Sequence, residues 1–224
     1  MSLFNSRKER FKAYFDAMIK DHGCLRALNR NFHQISAEGF AKAYRSNHPS
    51  PSFVKKLKNE YSVNTILSIR RADTTGAYRL EKDACDDYGI ELINHTMSSR
   101  DMPKVEDILK MKQLLETMQY PILIHCKSGA DRAGMTSVFY KHFIEKQPIS
   151  EALAQLSLRY GHIRWAETGK LDYFFEAYLE FAKQHPDISF IDWVQNHYNR
   201  DELNATFKAK GWAKIVVNKI LRRE

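Results

Sequence analysis

The sequence of 224 residues has no long apolar run and few cysteines. No uninterrupted apolar stretch approaches about 18 residues, so we expect no transmembrane helix. The first residues, MSLFNSRKERFK, are too polar for a signal peptide. The three cysteines, Cys24, Cys85 and Cys126, cannot all pair and have no zinc-binding spacing. These absences predict a cytoplasmic protein with reduced thiols and without a metal site.

Proline and glycine are scarce as well, with 6 and 9 residues, and the chain contains no repeat or low-complexity tract. With 43% hydrophobic and 28% charged residues, the composition is neither that of a disordered chain nor that of a fibrous one. We predict a single domain over residues 1–224, since this length suffices for one core. Within it we expect an amphipathic helical extension at 1–30, a core at 31–165 and a helical part at 166–224.

Positive charge is concentrated at both ends of the chain. Residues 1–60 carry 12 Lys and Arg against 5 Asp and Glu, and residues 203–224 carry 6 against 1. Residues 61–202 carry 17 against 21, so the middle is mildly acidic. We find no nucleic-acid-binding motif and expect no nucleic-acid partner. The basic ends either favour an anionic membrane surface or an anionic partner, or form solvated helix faces.

An amphipathic helix is predicted near the N-terminus, over residues 7–20. Apolar side chains recur at helical spacing within it: Phe11, Tyr14, Phe15, Met18 and Ile19. Basic residues surround this apolar stripe. Such a helix either packs on the core or lies on a membrane surface, so a location peripheral to a membrane is the alternative to a purely cytoplasmic one.

Strand and helix patterns alternate through the middle of the chain. Runs rich in β-branched and apolar residues predict buried strands at 63–70, 90–94 and 121–125. Helical patterns occupy 55–60, 79–88, 105–118 and 133–145, and further helices are predicted at 151–160, 168–183, 190–198 and 214–221. The alternation predicts an α/β fold with a central, mostly parallel sheet flanked by helices and with helical additions at both ends.

One stretch, ILIHCKSGADRAG at residues 122–134, combines groups suited to phosphate chemistry. Cys126 leaves a predicted strand and meets the start of a helix, where backbone N–H groups and the helix dipole attract anions. That environment favours the thiolate form of a cysteine. Arg132 adds a planar guanidinium that matches two phosphate oxygens. Gly129 permits a tight turn, and His125 can hold the loop through a hydrogen bond.

The loop has the pattern HCxxGxxR and resembles the cysteine-dependent protein tyrosine phosphatases, in particular bacterial dual-specificity members with an HCKSGxDR-type loop. The resemblance covers about residues 30–165. It implies the protein-tyrosine-phosphatase fold and hydrolysis of a phosphorylated protein or small phosphomonoester through a phosphocysteine intermediate, without a cofactor. It also implies Cys126 as the nucleophile and His125 as a supporting residue. The loop residues that it implies for phosphate binding are Lys127, Ser128, Gly129, Ala130, Asp131 and Arg132.

The reaction implied by this resemblance needs an acid for the leaving oxygen. In the family, the acid is an Asp on a loop that follows a preceding strand. Asp101, in the loop SSRDMP and 25 residues before Cys126, fits that position. Two alternatives stay open: Asp101 caps the helix that follows it, or Asp131 beside Arg132 supplies the acid.

Two loop positions leave substrate and turnover open. The family commonly has Ser or Thr after the Arg, whereas this chain has Ala133. Either Ser128, Thr136 or a water takes over, or the second step is slow and the chain is a phosphate-binding module with weak turnover. Lys127 resembles the phosphoinositide-phosphatase branch, although a further lysine of that branch is absent from the loop. A tyrosine or dual-specificity protein phosphatase is the first interpretation, and a phosphoinositide, sugar or lipid phosphatase is the alternative.

Other residues have weaker assignments. In some relatives, a Cys in the region of Cys85 forms a reversible disulfide with the catalytic Cys; the alternative is a small core residue. Met135 stands where a nucleotide-binding P-loop needs Lys, which argues against nucleotide binding. The remaining candidates are predicted to support the sheet or loop or to line the site: Arg45, Arg70, Arg159, His162 and Arg164.

Overall fold

A computed structural model describes residues 3–21, 23, 30–73 and 75–208 of the chain. Within these residues, strands form one sheet: β1 (His33–Gln34), β2 (Ala43–Ser46), β3 (Thr65–Ser68), β4 (Glu91–Asn94) and β5 (Ile122–His125). The sheet order is β1-β2-β5-β3-β4. The β1–β2 pair is antiparallel and the other pairs are parallel. The predicted α/β fold with a mostly parallel sheet is therefore confirmed.

Helices connect and cover these strands. They are α1 (Arg7–Phe15), α2 (Pro51–Tyr61), α3 (Gly76–Tyr88), α4 (Val105–Thr117), α5 (Asp131–Phe143), α6 (Ile149–Ala152), α7 (Lys170–Gln184) and α8 (Phe190–Asn196), and residues 200–208 are also helical. Local signals set several of these ends. The Ser50 hydroxyl accepts a hydrogen bond from the Phe53 amide at the start of α2, and Gly89 ends α3 in the left-handed conformation. The predicted helix 214–221 and Cys24 lie outside the described residues.

The two faces of β5 contribute to two separate apolar clusters. Because side chains alternate along a strand, Ile122 and Ile124 join the cluster formed with α4, α5, α7 and α8. Leu123 joins the cluster on the opposite side, formed with α2 and α3. Helices on both faces thus bury the central strand, which places its C-terminal end, and Cys126 after it, at the middle of the sheet edge.

The three predicted strands are present with shorter bounds, whereas β1 and β2 were not predicted. The sequence of β2 is AYRS, and all four residues are buried. The charged side chain of Arg45 is fully buried at the centre of this strand. A strand with an arginine and a serine inside the core has neither an apolar run nor an alternating pattern, so sequence periodicity could not detect it.

The predicted helix 151–160 is wrong. After α6 the chain forms two single 3-10 turns, Leu153–Gln155 and Leu158–Tyr160. The reason lies in Arg45, whose Nη1 donates to the carbonyl oxygen of Gln155 at 2.7 Å and to its side-chain Oε1 at 3.0 Å. A continuous helix would use that carbonyl internally, so the irregular backbone satisfies the buried guanidinium instead.

Helix α1 packs on α3 but leaves much of the apolar stripe exposed to solvent. Ala13 is the buried residue of α1, and its carbonyl oxygen would lie 2.3 Å from a Cβ added at Gly76. A π-helical turn, Asp16–Lys20, follows α1. Phe11, Phe15 and Ile19 are 74%, 54% and 57% exposed. The helix therefore makes backbone contact with α3, while the side chains of Phe11 and Phe15 are mostly exposed. No helix within the described ranges is long and apolar enough to cross a membrane.

Candidate active site

The loop between β5 and α5 closes around the sulfur of Cys126. The amide of Gly129 donates to Sγ of Cys126 at 3.2 Å, and this thiol is almost fully buried. Gly129 has φ +76, and a Cβ there would lie 2.6 Å from the backbone carbon of Ser46. Only glycine fits this position, because both the left-handed backbone and the contact with β2 exclude a side chain.

Arg45 on β2 fixes the shape of the loop from beneath. Its Nη2 donates to the carbonyl oxygens of Gly129 at 2.8 Å and of Ala130 at 2.9 Å. Because these carbonyls are bound behind the loop, the loop amides remain available to an anion on the other side. Burial lowers the pKa of Arg45 to about 10, so the side chain still carries its charge at neutral pH. The predicted role of Arg45 as a loop support is confirmed.

Arg132, on the first turn of α5, reaches across to the end of the neighbouring strand. Its Nη1 donates to the carbonyl oxygen of Ile69 at 3.3 Å. Ile69 directly follows β3, which is paired with β5. The guanidinium therefore lies at the C-terminal edge of the two central strands, where α/β sheets bind ligands.

His125, the last residue of β5, joins a buried polar cluster behind the loop. Its Nδ1 lies 3.4 Å from the carbonyl oxygen of Cys126, and its Nε2 lies 2.6 Å from Oε1 of Glu81. The second carboxylate oxygen of Glu81 lies 3.7 Å from Nδ1 of His48. Burial lowers the pKa of His48 to about 4. Burial opposes the charge of Glu81, but the contact with His125 outweighs it and holds the pKa of this carboxyl below its usual value.

The same three side chains have the residue types and spacing of a possible metal site. The donor atoms of His48, Glu81 and His125 lie within 4.8 Å of one another. The distance of 2.6 Å between His125 and Glu81 is that of an ion pair, so we interpret the cluster as a support for His125. Glu81 carries no sequence signal, because it is one acidic residue among several on α3.

A comparison with family models identifies the family of the chain. Residues 30–169 match the family described as DSP-PTPase phosphatase fused to NAD+ kinase. The chain belongs to this family. The resemblance inferred from the HCxxGxxR loop is thereby confirmed, and the chain is a cysteine-based phosphatase of the tyrosine and dual-specificity superfamily.

Solved structures show the same fold at low sequence identity. TpbA from P. aeruginosa is 16% identical with a TM-score of 0.52, over 75% of this chain and 89% of that one. The core catalytic domain of the PP-IP phosphatase SIW14 from S. cerevisiae is 18% identical with a TM-score of 0.52, over 70% and 93%. The comparison with curated proteins found no match.

In this phosphatase, the loop residue Asp131 is bound to a histidine from the helical part. Nδ1 of His162 lies 2.7 Å from Oδ1 of Asp131, and its Nε2 lies 2.6 Å from Oδ2 of Asp172 on α7. Burial opposes the charged imidazole, but the hydrogen bonds to Asp131 and Asp172 outweigh it and raise the pKa of His162 to about 9. The position of Asp131 therefore favours loop orientation over proton donation. Sequence reasoning identified His162 as a site candidate and missed Asp172, whose spacing follows no motif.

The raised pKa of His162 predicts a loss of stability in mild base. The imidazolium contribution is complete below about pH 6.5, the ordinary value, and is lost as the pH rises through about 9. We expect the free energy of unfolding of the wild type to fall between these pH values by on the order of 2 kcal/mol more than that of His162→Gln. Urea unfolding at both pH values measures this difference. Parallel pH dependences of the two proteins would show that the contacts do not stabilise the charged form.

The side chain of Asp101 forms an ion pair with Arg200, which lies outside the phosphate loop. Its Oδ2 forms an ion pair with Nη2 of Arg200, and its Oδ1 accepts the amide of Met102 at 3.0 Å. No hydrogen bond or ion pair joins it to the loop in the part of the chain that the structure describes. The alternative role as a helix cap is wrong, because α4 begins after Lys104 and has no side-chain cap. The role of Asp101 as the acid stays a prediction, and it requires the carboxyl to leave Arg200.

The hydroxyls considered as replacements at position 133 have different surroundings. Ser128 lies in the loop, where its Oγ accepts the amide of Ala130 at 3.3 Å. Thr136 is fully buried on α5, and its Oγ1 has no hydrogen-bond partner among the described residues. Ser128 is thus the candidate hydroxyl that belongs to the loop itself.

Lys127, the residue before Ser128, is half-exposed. Its Nζ lies 3.3 Å from Oδ1 of Asp21, with which it forms an ion pair.

Proposed function

We propose that the chain hydrolyses phosphomonoesters in proteins, as a tyrosine or dual-specificity phosphatase. The observation that supports this most strongly is the closed loop, in which Arg45 binds the outer carbonyls and an inner amide donates to Cys126. A loop of this shape binds a phosphoryl group and places its phosphorus against the sulfur.

The proposed reaction has two steps. The thiolate of Cys126 attacks phosphorus and the bond to the substrate oxygen breaks, while Asp101 gives its proton to that oxygen. Water then attacks phosphorus, gives a proton to Asp101 and releases the thiolate. Arg132 and the amides of residues 127–132 hold the phosphoryl oxygens in both steps. His125 and Arg45 keep the loop in place.

A second candidate is a phosphatase of lipid phosphomonoesters at an anionic membrane. The observation that favours it is the exposed apolar stripe of α1, which includes Phe11 and Phe15 and is flanked by Lys8 and Lys12. An apolar face with basic neighbours binds at the interface of anionic bilayers.

A substrate comparison distinguishes the two candidates. For the protein phosphatase, we expect kcat/KM on a phosphotyrosine peptide to exceed that on a lipid phosphate in anionic vesicles by about tenfold or more, equivalent to 1.4 kcal/mol at the transition state. The variant Phe11→Ser/Phe15→Ser should leave both values unchanged. For the lipid phosphatase, we expect a higher kcat/KM on the lipid phosphate in vesicles. The double variant should then lose activity on vesicles and keep its activity on the peptide.

Leu158→Ser is the matched control, because Leu158 is 62% exposed and lies outside α1. Phosphate release measured from both substrates gives the answer. If the protein binds inorganic phosphate but hydrolyses no phosphomonoester, both candidates are contradicted. That result would favour a phosphate-binding module.

A further inference from the structure

Two cations lie side by side at the edge of the sheet, next to the phosphate loop. Ser68 of β3 and His125 of β5 are partners in the parallel register. Arg70 and Lys127 each lie two residues beyond these partners, and both lie within ion-pair distance of the carboxylate of Asp21. This edge, where parallel strands end, is where α/β folds bind ligands.

Both cations bind one carboxylate, which comes from the N-terminal extension. Asp21 lies just after the π-helical turn that follows α1. Its two oxygens lie 2.9 and 3.1 Å from Nη1 and Nη2 of Arg70, and Oδ1 lies 3.3 Å from Nζ of Lys127. The arrangement with Arg70 is the paired fork geometry in which arginine recognises carboxylates and phosphates. The chain thus has an anion-binding position, and its own side chain occupies it.

The position is close to the phosphate loop along the backbone. Lys127 directly follows Cys126, and the residue before Arg70 is Ile69, whose carbonyl accepts a hydrogen bond from Arg132. An anion held between Arg70 and Lys127 would therefore lie at the same edge of the sheet as a phosphoryl group held by Arg132. The side chains of Arg70 and Asp21 are 16% and 14% exposed, so water screens their pairing only in part.

We propose that Arg70 and Lys127 form a second anion-binding site, which takes a phosphoryl or carboxylate group on the same molecule as the phosphomonoester that is hydrolysed. This inference rests on the proposed phosphatase function and names a substrate class for it: phosphomonoesters with a second anionic group close to the first. Without such a group, the Asp21 carboxylate satisfies the two cations. A substrate with a second anionic group displaces Asp21, whereas a substrate with one phosphate does not need to.

The test compares substrates that differ in one anionic group. Phenyl phosphate is compared with the three carboxyphenyl phosphates, and myo-inositol 1-phosphate with inositol bisphosphates. We expect the best substrate of each set to exceed its monoanionic reference in kcat/KM by about tenfold or more. Arg70→Gln should reduce this preference by about 10- to 100-fold, the scale of lost charge-assisted hydrogen bonds, and leave phenyl phosphate within about twofold.

Asp21→Asn tests whether the carboxylate of Asp21 competes with the second anionic group of a substrate. The amide keeps the shape of the side chain and loses its charge, so we expect KM for the doubly anionic substrates to fall and phenyl phosphate to be unaffected. Arg71→Gln and Asp187→Asn are matched controls, since both residues are exposed. Arg70→Lys, which keeps the charge, should retain part of the preference and covers the case in which Arg70→Gln does not fold.

Two results would overturn the second site. One is a wild type without preference for any doubly anionic substrate. The other is an Arg70→Gln variant that loses phenyl phosphate and doubly anionic substrates equally, which would make Arg70 a support of the phosphate loop. Failure of the proposed function gives a different result, because the wild type would then not hydrolyse phenyl phosphate at all.

Discussion

Replacing Cys126 with serine is expected to reduce aryl phosphate hydrolysis by at least about 10⁴-fold, the scale of losing a catalytic nucleophile. A serine hydroxyl is a weak nucleophile because it is un-ionised in this loop, and the phosphoserine that it would form must expel an alkoxide, which is a poor leaving group. The bonds from Arg45 to the loop carbonyls do not involve the sulfur, so the anion site should persist. Phosphate release measures the first effect, and calorimetric titration with inorganic phosphate measures the second.

Cys85→Ser is the matched control for this variant. Cys85 is buried in the apolar cluster of α2 and α3, whereas Cys126 belongs to the other cluster, and both thiols are free. Burial raises the pKa of Cys85 well above its ordinary value, so this thiol is no nucleophile. We expect Cys85→Ser to keep full kcat. Near-normal turnover by Cys126→Ser would contradict the mechanism. If only Cys85→Ser lost activity, the nucleophile would be Cys85 and not Cys126.

Asp101→Asn is expected to slow phenyl phosphate hydrolysis by about 100-fold or more, the usual scale for loss of a general acid. An activated ester such as 4-nitrophenyl phosphate should slow less, because a good leaving group departs without a proton. The measurement is the ratio of kcat for the two esters, in wild type and variant. This ratio separates proton donation from a change in loop structure, which would slow both esters alike.

Asp131→Asn provides the comparison, since Asp131 is the carboxylate within the loop itself. Its hydrogen bond to His162 predicts a loss of loop order and therefore an equal effect on both esters. If Asp131→Asn shows the dependence on leaving group and Asp101→Asn does not, Asp131 is the acid. The ion pair of Asp101 with Arg200 would then be a structural link to the C-terminal helix.

The phosphate loop could be predicted from sequence because its chemistry is local. Cys126, Gly129 and Arg132 lie within seven residues, and their spacing on a strand-to-helix turn carries the geometry with it. The alternation of apolar runs and helical patterns likewise predicted three of the strands. Short-range spacing and periodicity are visible in one sequence without reference to its partners in space.

The long-range contacts that support the loop could not be predicted with the same method, although Arg45 itself was a candidate support. Arg45 binds Gly129 and Gln155, which lie 84 and 110 residues away along the chain. Asp172 and Glu81 act through contacts of the same long-range kind. Each is a charged residue in a buried position, where polarity argues for the surface in any sequence-based analysis. Only the fold shows that each has a charged or carbonyl partner.

The dependence of the loop on Arg45 limits what the loop motif alone can establish about any chain that carries it. The motif records the residues that meet the phosphate, but the direction of the amides is set by a guanidinium on another strand. A chain could keep HCxxGxxR unchanged, lose that one arginine, and present carbonyl oxygens where an anion must bind. In this chain, the motif and the guanidinium of Arg45 together set the direction of the loop amides.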